Sequence, residues 1–299
     1  MKKLPLVFSG CLLGLAGAGN LIADTWPVLS HLLSLTGLVL WLFFLILHLF
    51  NWGETKQELT KPPLLSGMAT FPMAGMILST YVFRVFPALP LLAQGIWWFS
   101  FLLDLALIAT FTIKFACPGR KVNATPSWTV LYVGIAVAAL TYPLVGIIEI
   151  AYATLSFGFV LTFYLYPLIY RDLKKTPLPA ALLGQEGIYC APFSLLLASL
   201  VRVGGAGLPT WLLIVMILAS QSFFFFVLTR LPNILKQGFQ PAFSALTFPT
   251  IITATSLKMA QGILKLPFLD YLVLAETIIC LTILFFVLGT YLIWLRKKV

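Results

Sequence analysis

Charge is what this chain has least of: 9% of its 299 residues are Asp, Glu, Lys or Arg, against about 25% in an ordinary soluble domain. Its mean hydropathy is +1.02, so water is not the solvent for most of its surface. Cysteine is also sparse. Cys11, Cys117, Cys190 and Cys280 stand without pair spacing, which argues against a disulfide framework and a zinc site and leaves them as small apolar fillers. Motifs for phosphate binding, metal-dependent hydrolysis or nucleophilic catalysis are missing. The chain therefore reads as a non-enzyme needing neither cofactor nor metal. Segments of alternating polarity, which a membrane β-barrel requires, are missing too: 32–49 and 271–295 are apolar on every side.

What is present is a series of apolar runs of about 20 residues, each enough to cross ~30 Å of hydrocarbon. Read against punctuation by Pro, Gly and charge, they predict an all-α polytopic membrane protein, one domain over 1–299. Ten transmembrane helices are expected at about 5–23, 27–50, 64–83, 89–114, 128–144, 147–170, 181–203, 208–230, 240–258 and 268–295. The first run has glycines through its length and reads as a span, not a signal peptide.

Ten spans place both termini on one face, together with the connections that follow even-numbered spans. That face collects Lys2, Lys3, Lys56, Lys61, Lys114, Arg120, Lys121, Arg171, Lys174, Lys175, Arg230, Lys236, Arg296, Lys297 and Lys298. Only Arg84, Arg202, Lys258 and Lys265 fall on the other. This asymmetry predicts a multi-pass protein of the cell membrane with both termini cytoplasmic. It also explains the excess of ten positive charges without nucleic acid as a partner.

Short connections near Asp24, Pro87, Gly146 and Gly207 make consecutive spans into five hairpins. Odd spans carry small or helix-disturbing residues, such as Gly10, Gly14, Pro72, Pro143 and Pro192, whereas even spans are dominated by Leu, Phe, Ile and Trp. Small residues permit close helix approach, and bulky apolar ones suit lipid. Five odd helices forming an inner pore ring, wrapped by five even helices in an outer ring, is the simplest arrangement.

Several fragments carry a family resemblance: Ser9-Gly10-x-x-x-Gly14-Leu15, Phe71-Pro72, Thr125-Pro126-Ser127, Ala191-Pro192, Arg230-Leu231 and Ala245-Leu246-Thr247-Phe248-Pro249. In order and spacing they resemble the tellurite-resistance and dicarboxylate transporter family. Its members include a bacterial tellurite-resistance channel homologue, yeast malate and sulfite transporters and the slow anion channel of plant guard cells. The resemblance implies a homotrimer whose protomers each hold a pore of five inner helices, blocked midway by a phenylalanine. Phe248 matches that residue by position. Leu131 stands where some relatives place a proline, with Pro143 near the far end of the same span instead.

A ring at Phe248 suits a gate, since a large apolar side chain dewets a constriction. Pro249 after it removes a backbone donor and is expected to bend the helix. The expected pore lining is Ser9, Gly10, Gly14, Ser66, Thr70, Pro72, Pro192, Thr247, Pro249 and Thr250, although Ser and Thr in spans often bond their own backbone instead. Asp104 and Glu276 sit on even spans, where pairing or protonation accounts for them. Glu186 lies on an odd span and is the candidate for proton coupling. The expected function is a channel passing small anions such as chloride or nitrate, with membrane lipid and the anion as partners. The alternative is a secondary carrier exporting tellurite or sulfite, or moving C4-dicarboxylates with protons.

Overall fold

The computed structural model describes residues 4–117 and 122–297. Of the basic residues counted above, Lys2, Lys3, Arg120, Lys121 and Lys298 lie outside the described residues. Every regular element among the described residues is helical. Eight helices are long and apolar enough to cross a membrane: α2 Pro27–Phe50, α3 Pro62–Val85, α4 Pro90–Ala116, α5 Ser127–Leu144, α6 Ile148–Lys175, α7 Ala180–Gly207, α8 Thr210–Lys236 and α10 Pro267–Lys297. Two more complete the series, α1 Leu6–Leu21 and α9 Thr247–Leu264. At 1.5 Å rise per residue α1 is about 24 Å long. α9 is diluted by hydroxyls and by Lys258 and Gln261. The chain is an all-helical polytopic membrane protein.

Local chemistry sets the helix starts. Pro27, Pro62, Pro90 and Pro267 each occupy the first position of a helix, where the missing N–H has no partner to lose and φ is already helical. The burial of the helices then separates them into two kinds. The apolar stretches of α3, α5 and α7 are 78%, 72% and 61% buried, against 33–39% for α2, α4, α6, α8 and α10. Exposed large side chains such as Val39, Phe99, Phe163, Leu218 and Phe285 lie on the even helices, as expected where lipid is the neighbour.

Each even helix packs on the odd helix before it. Among odd helices, α1 packs on α3 and α9, α7 on α5 and α9, and α3 on α5. The contact of α1 with α9 depends on a glycine face. A methyl group at Gly14 would lie 2.7 Å from Thr247 Oγ1, one at Gly10 3.0 Å from the Ser244 carbonyl oxygen, and one at Gly17 3.1 Å from the Phe248 ring.

Irregular winding recurs on the odd helices: α1 opens with a tight turn, Leu6–Phe8, and α3 is interrupted between Gly67 and Thr70. α5 tightens at Gly134–Ala136, and the carbonyl of Ala136 accepts the Ser199 hydroxyl of α7 at 2.9 Å. α7 opens with eleven tightly wound residues, Ala180–Cys190, and α9 is preceded by a similar turn, Pro241–Leu246. These two tight segments pack on each other, and the Tyr291 hydroxyl of α10 donates to the Pro241 carbonyl. Pro249 falls in the first turn of α9, where its absent N–H costs nothing. The irregularity therefore lies in the tight turn before α9, and α9 itself runs unbroken through Pro249.

Candidate functional site

Two cavities lie end to end inside the bundle. The first, about 70 Å³, is lined by the starting portions of all five odd helices, including Gly10, Thr70, Ser127, Pro192 and Ser244. The second, about 680 Å³, is lined by their far ends and the α1–α2 turn, including Asn20, Thr80, Arg84, Arg202 and Lys258. Among the described residues no even helix contributes to either lining. Among the described residues Phe248 is the one common to both. It is 4% exposed, and its ring edge lies over Gly17, the position on α1 that offers no side chain to it.

The two cavities differ electrically. Among the described residues the first is lined by no charged side chain, and its polar groups are Thr70, Ser127, Thr129, Gln185 and Ser244. The second holds, among the described residues, Arg84, Arg202 and Lys258 against a single acid, Asp24. Lys258 Nζ donates to the Leu21 carbonyl at 2.8 Å and meets Asp24 Oδ2 at 3.3 Å, while the Arg84 guanidinium lies 5.6 Å from the Tyr81 ring centre. A vestibule with this balance raises the local concentration of anions.

Of the residues expected to line a pore, Gly10, Thr70, Pro192, Phe248 and Pro249 border the first cavity. Ser9, Gly14, Ser66, Pro72, Thr247 and Thr250 border neither. Their chemistry is spent between helices or on their own backbone. Ser9 Oγ donates to the Leu6 carbonyl at 2.8 Å and meets Thr70 Oγ1 at 2.6 Å. Ser66 donates to Ser127 at 2.7 Å, and Thr247 to the Gly10 carbonyl at 2.9 Å. Thr250 donates to the Leu246 carbonyl at 3.0 Å, Pro72 is buried in α3, and Gly14 is the close approach to Thr247.

Glu186 turns toward α8. Arg230 holds both of its oxygens, Nε on Oε2 and the terminal nitrogen on Oε1, each at 3.0 Å. Its neighbour Gln185 lines the cavity instead. A bidentate guanidinium–carboxylate pair fixes geometry well, but with the arginine side chain 41% exposed it contributes only on the order of 1 kcal/mol. We expect Glu186→Gln to lower the melting temperature slightly and to leave the pH dependence of anion flux in proteoliposomes unchanged. A flattened pH profile would return this carboxylate to the transport path.

The sequence reading missed Asn20, Thr80, Ser127, Thr129, Gln185, Ser244 and Thr255 as lining residues. For the vestibule the signal was there, because Arg84, Arg202 and Lys258 each end an odd span.

A polytopic helical protein with two internal cavities abutting on one aromatic ring is built as a membrane transport protein. Over residues 3–292 the chain matches the model of the SLAC1 family, described as voltage-dependent anion channel, and it belongs to that family, the one its sequence fragments resemble. No curated protein matches the chain.

Proposed function

We propose that this chain conducts small anions such as chloride or nitrate along a path between α1, α3, α5, α7 and α9, with Phe248 as its gate. The observation that carries this reading is that, among the described residues, Phe248 alone belongs to both cavities. On this reading all ten helices span the bilayer, α1 and α9 included, because they are sheltered from lipid and need less apolar surface. The odd helices then form the inner ring, supported by their mutual packing and their greater burial. The cation-rich face with both termini is cytoplasmic, and the family resemblance adds a homotrimer of the cell membrane with one pore per protomer.

An anion entering from the vestibule meets cations first and then a stretch free of charged side chains. Selectivity then rests on dehydration and width. The direct test is the reversal potential of the purified protein in a planar bilayer under chloride and nitrate gradients. It should follow the anion gradient; a potential that tracks the cation would end the proposal. Three cations in one vestibule also suit a divalent anion, so a carrier of tellurite, sulfite or C4-dicarboxylate is the second reading. It is distinguished by proton uptake in fixed ratio to substrate.

The vestibule yields its own prediction. Arg84→Gln combined with Arg202→Gln should lower flux from that side by roughly tenfold at low salt. The loss should vanish near 1 M salt, where the screening length is about 3 Å. Equal loss at both ionic strengths would mean that the arginines act by contact or folding, not by their field.

A further inference from the structure

A third cavity, about 560 Å³, opens beside the vestibule where α1 and α9 end and α10 begins. Its wall includes Trp26, Lys258, Gln261, Lys265, Asp270 and Leu274. We propose that it binds the headgroup of an anionic phospholipid, with the phosphate between Lys258 and Lys265. This inference concerns lipid binding and stands apart from the gate.

Charge supports it first. Lys258 and Lys265 line the cavity with one carboxylate, Asp270, which already accepts from Gln261 Nε2 at 3.0 Å; Lys258 is shared with Asp24 of the vestibule at 3.3 Å. Lys265 makes no ion pair among the described residues.

The backbone supports it independently. Lys265 closes α9 at φ 53°, the only non-glycine residue with positive φ among the described residues. This position ordinarily belongs to glycine or asparagine. The conformation is fixed by two bonds, Lys265 N–H to the Gln261 carbonyl at 2.8 Å and Leu266 N–H to Gln261 Oε1 at 3.0 Å. A lysine there stores local strain at a residue that lines the cavity.

The surroundings select a lipid over a free anion. Trp26 and Leu274 line the cavity and are exposed, and Leu266, Phe268 and Tyr271, exposed at the start of α10 and just before it, extend an aromatic and aliphatic surface of the kind found at membrane interfaces. An acyl chain uses that platform, and inorganic phosphate has no use for it. Lys258 also lines the vestibule, so a bound phosphate would compete with Asp24 for its ammonium and alter the charge that a permeating anion meets.

The test is native mass spectrometry of the purified full chain, after exchange into micelles with equal phosphatidylglycerol and phosphatidylcholine. Wild type should retain phosphatidylglycerol preferentially. Lys265→Asn keeps a residue tolerant of positive φ while removing the charge, and should reduce that preference roughly fivefold. Lys265→Arg should restore it, and Lys236→Gln on the opposite face should leave it alone. Equal retention of both lipids by wild type, or an unchanged preference in Lys265→Asn, would overturn the proposal. So would displacement of the lipid by millimolar inorganic phosphate, which would assign the site to a soluble anion.

Discussion

Replacing Phe248 by alanine should raise anion conductance by about tenfold or more, which corresponds to removing some 1.4 kcal/mol of barrier. The ring is the common wall of a small uncharged cavity and a large cationic one. Deleting its six-membered face joins them, and a wetted junction replaces an apolar seal. Truncating a buried Phe commonly costs 3–5 kcal/mol through the void left behind. Here the lost volume borders cavities on two sides, so the stability loss should fall at the low end and the variant should still purify folded. Phe248→Leu, with an apolar but smaller plug, should conduct at an intermediate level. Both are read from single-channel or macroscopic currents in a bilayer of fixed composition. Wild-type currents in both variants would take the ring out of the gate.

Gly17 enters the same argument. A methyl at that position would approach the Phe248 ring to 3.1 Å and Ile251 Cγ2 to 3.2 Å, so the ring's resting place depends on the missing side chain of α1. With Phe248 as the proposed gate, the packing that holds its ring and any rotamer that releases it share this one contact.

How much of this was legible in the sequence differs by residue. Helices starting at Pro27, Pro62, Pro90 and Pro267 were marked by their prolines and by apolar runs long enough to span a bilayer. The split between buried odd and exposed even helices followed from residue size. Lining residues were harder, because glycine and hydroxyl side chains in a span serve two purposes. Gly14 and Thr247 meet each other between α1 and α9, and periodicity alone does not tell a helix contact from a wet wall. The choice between Gln185 and Glu186 was harder still. Ala180–Cys190 winds tightly, at about three residues per turn instead of 3.6, so a helical wheel assigns faces there wrongly. The carboxylate that looked pore-directed belongs to the contact with α8.

That tight winding leads to the second large effect, expected at Gly184. The two tight segments at the start of α7 and before α9 touch through backbone. A methyl at Gly184 would come 2.6 Å from the Ala242 carbonyl carbon and 3.0 Å from the Phe243 nitrogen, and closer still to the Ala242 oxygen. Backbone has no rotamer with which to move aside. Gly184→Ala must therefore push the segments apart, disturbing the turn that the Tyr291 hydroxyl anchors and that delivers Phe248 to its place. We expect a loss of about 3 kcal/mol or more, the upper range for overpacking, seen as a large drop in melting temperature in detergent. Two other glycines calibrate the result. At Gly204 the near atoms are Leu208 side-chain carbons, which rotate away, so Gly204→Ala should cost much less. Gly95, inside α4, has nothing within 4 Å, and Gly95→Ala should stabilise by up to about 1 kcal/mol through helix propensity. If Gly184→Ala melts with Gly95→Ala, the two segments do not rest on each other, and the placement of Phe248 must come from α1 alone.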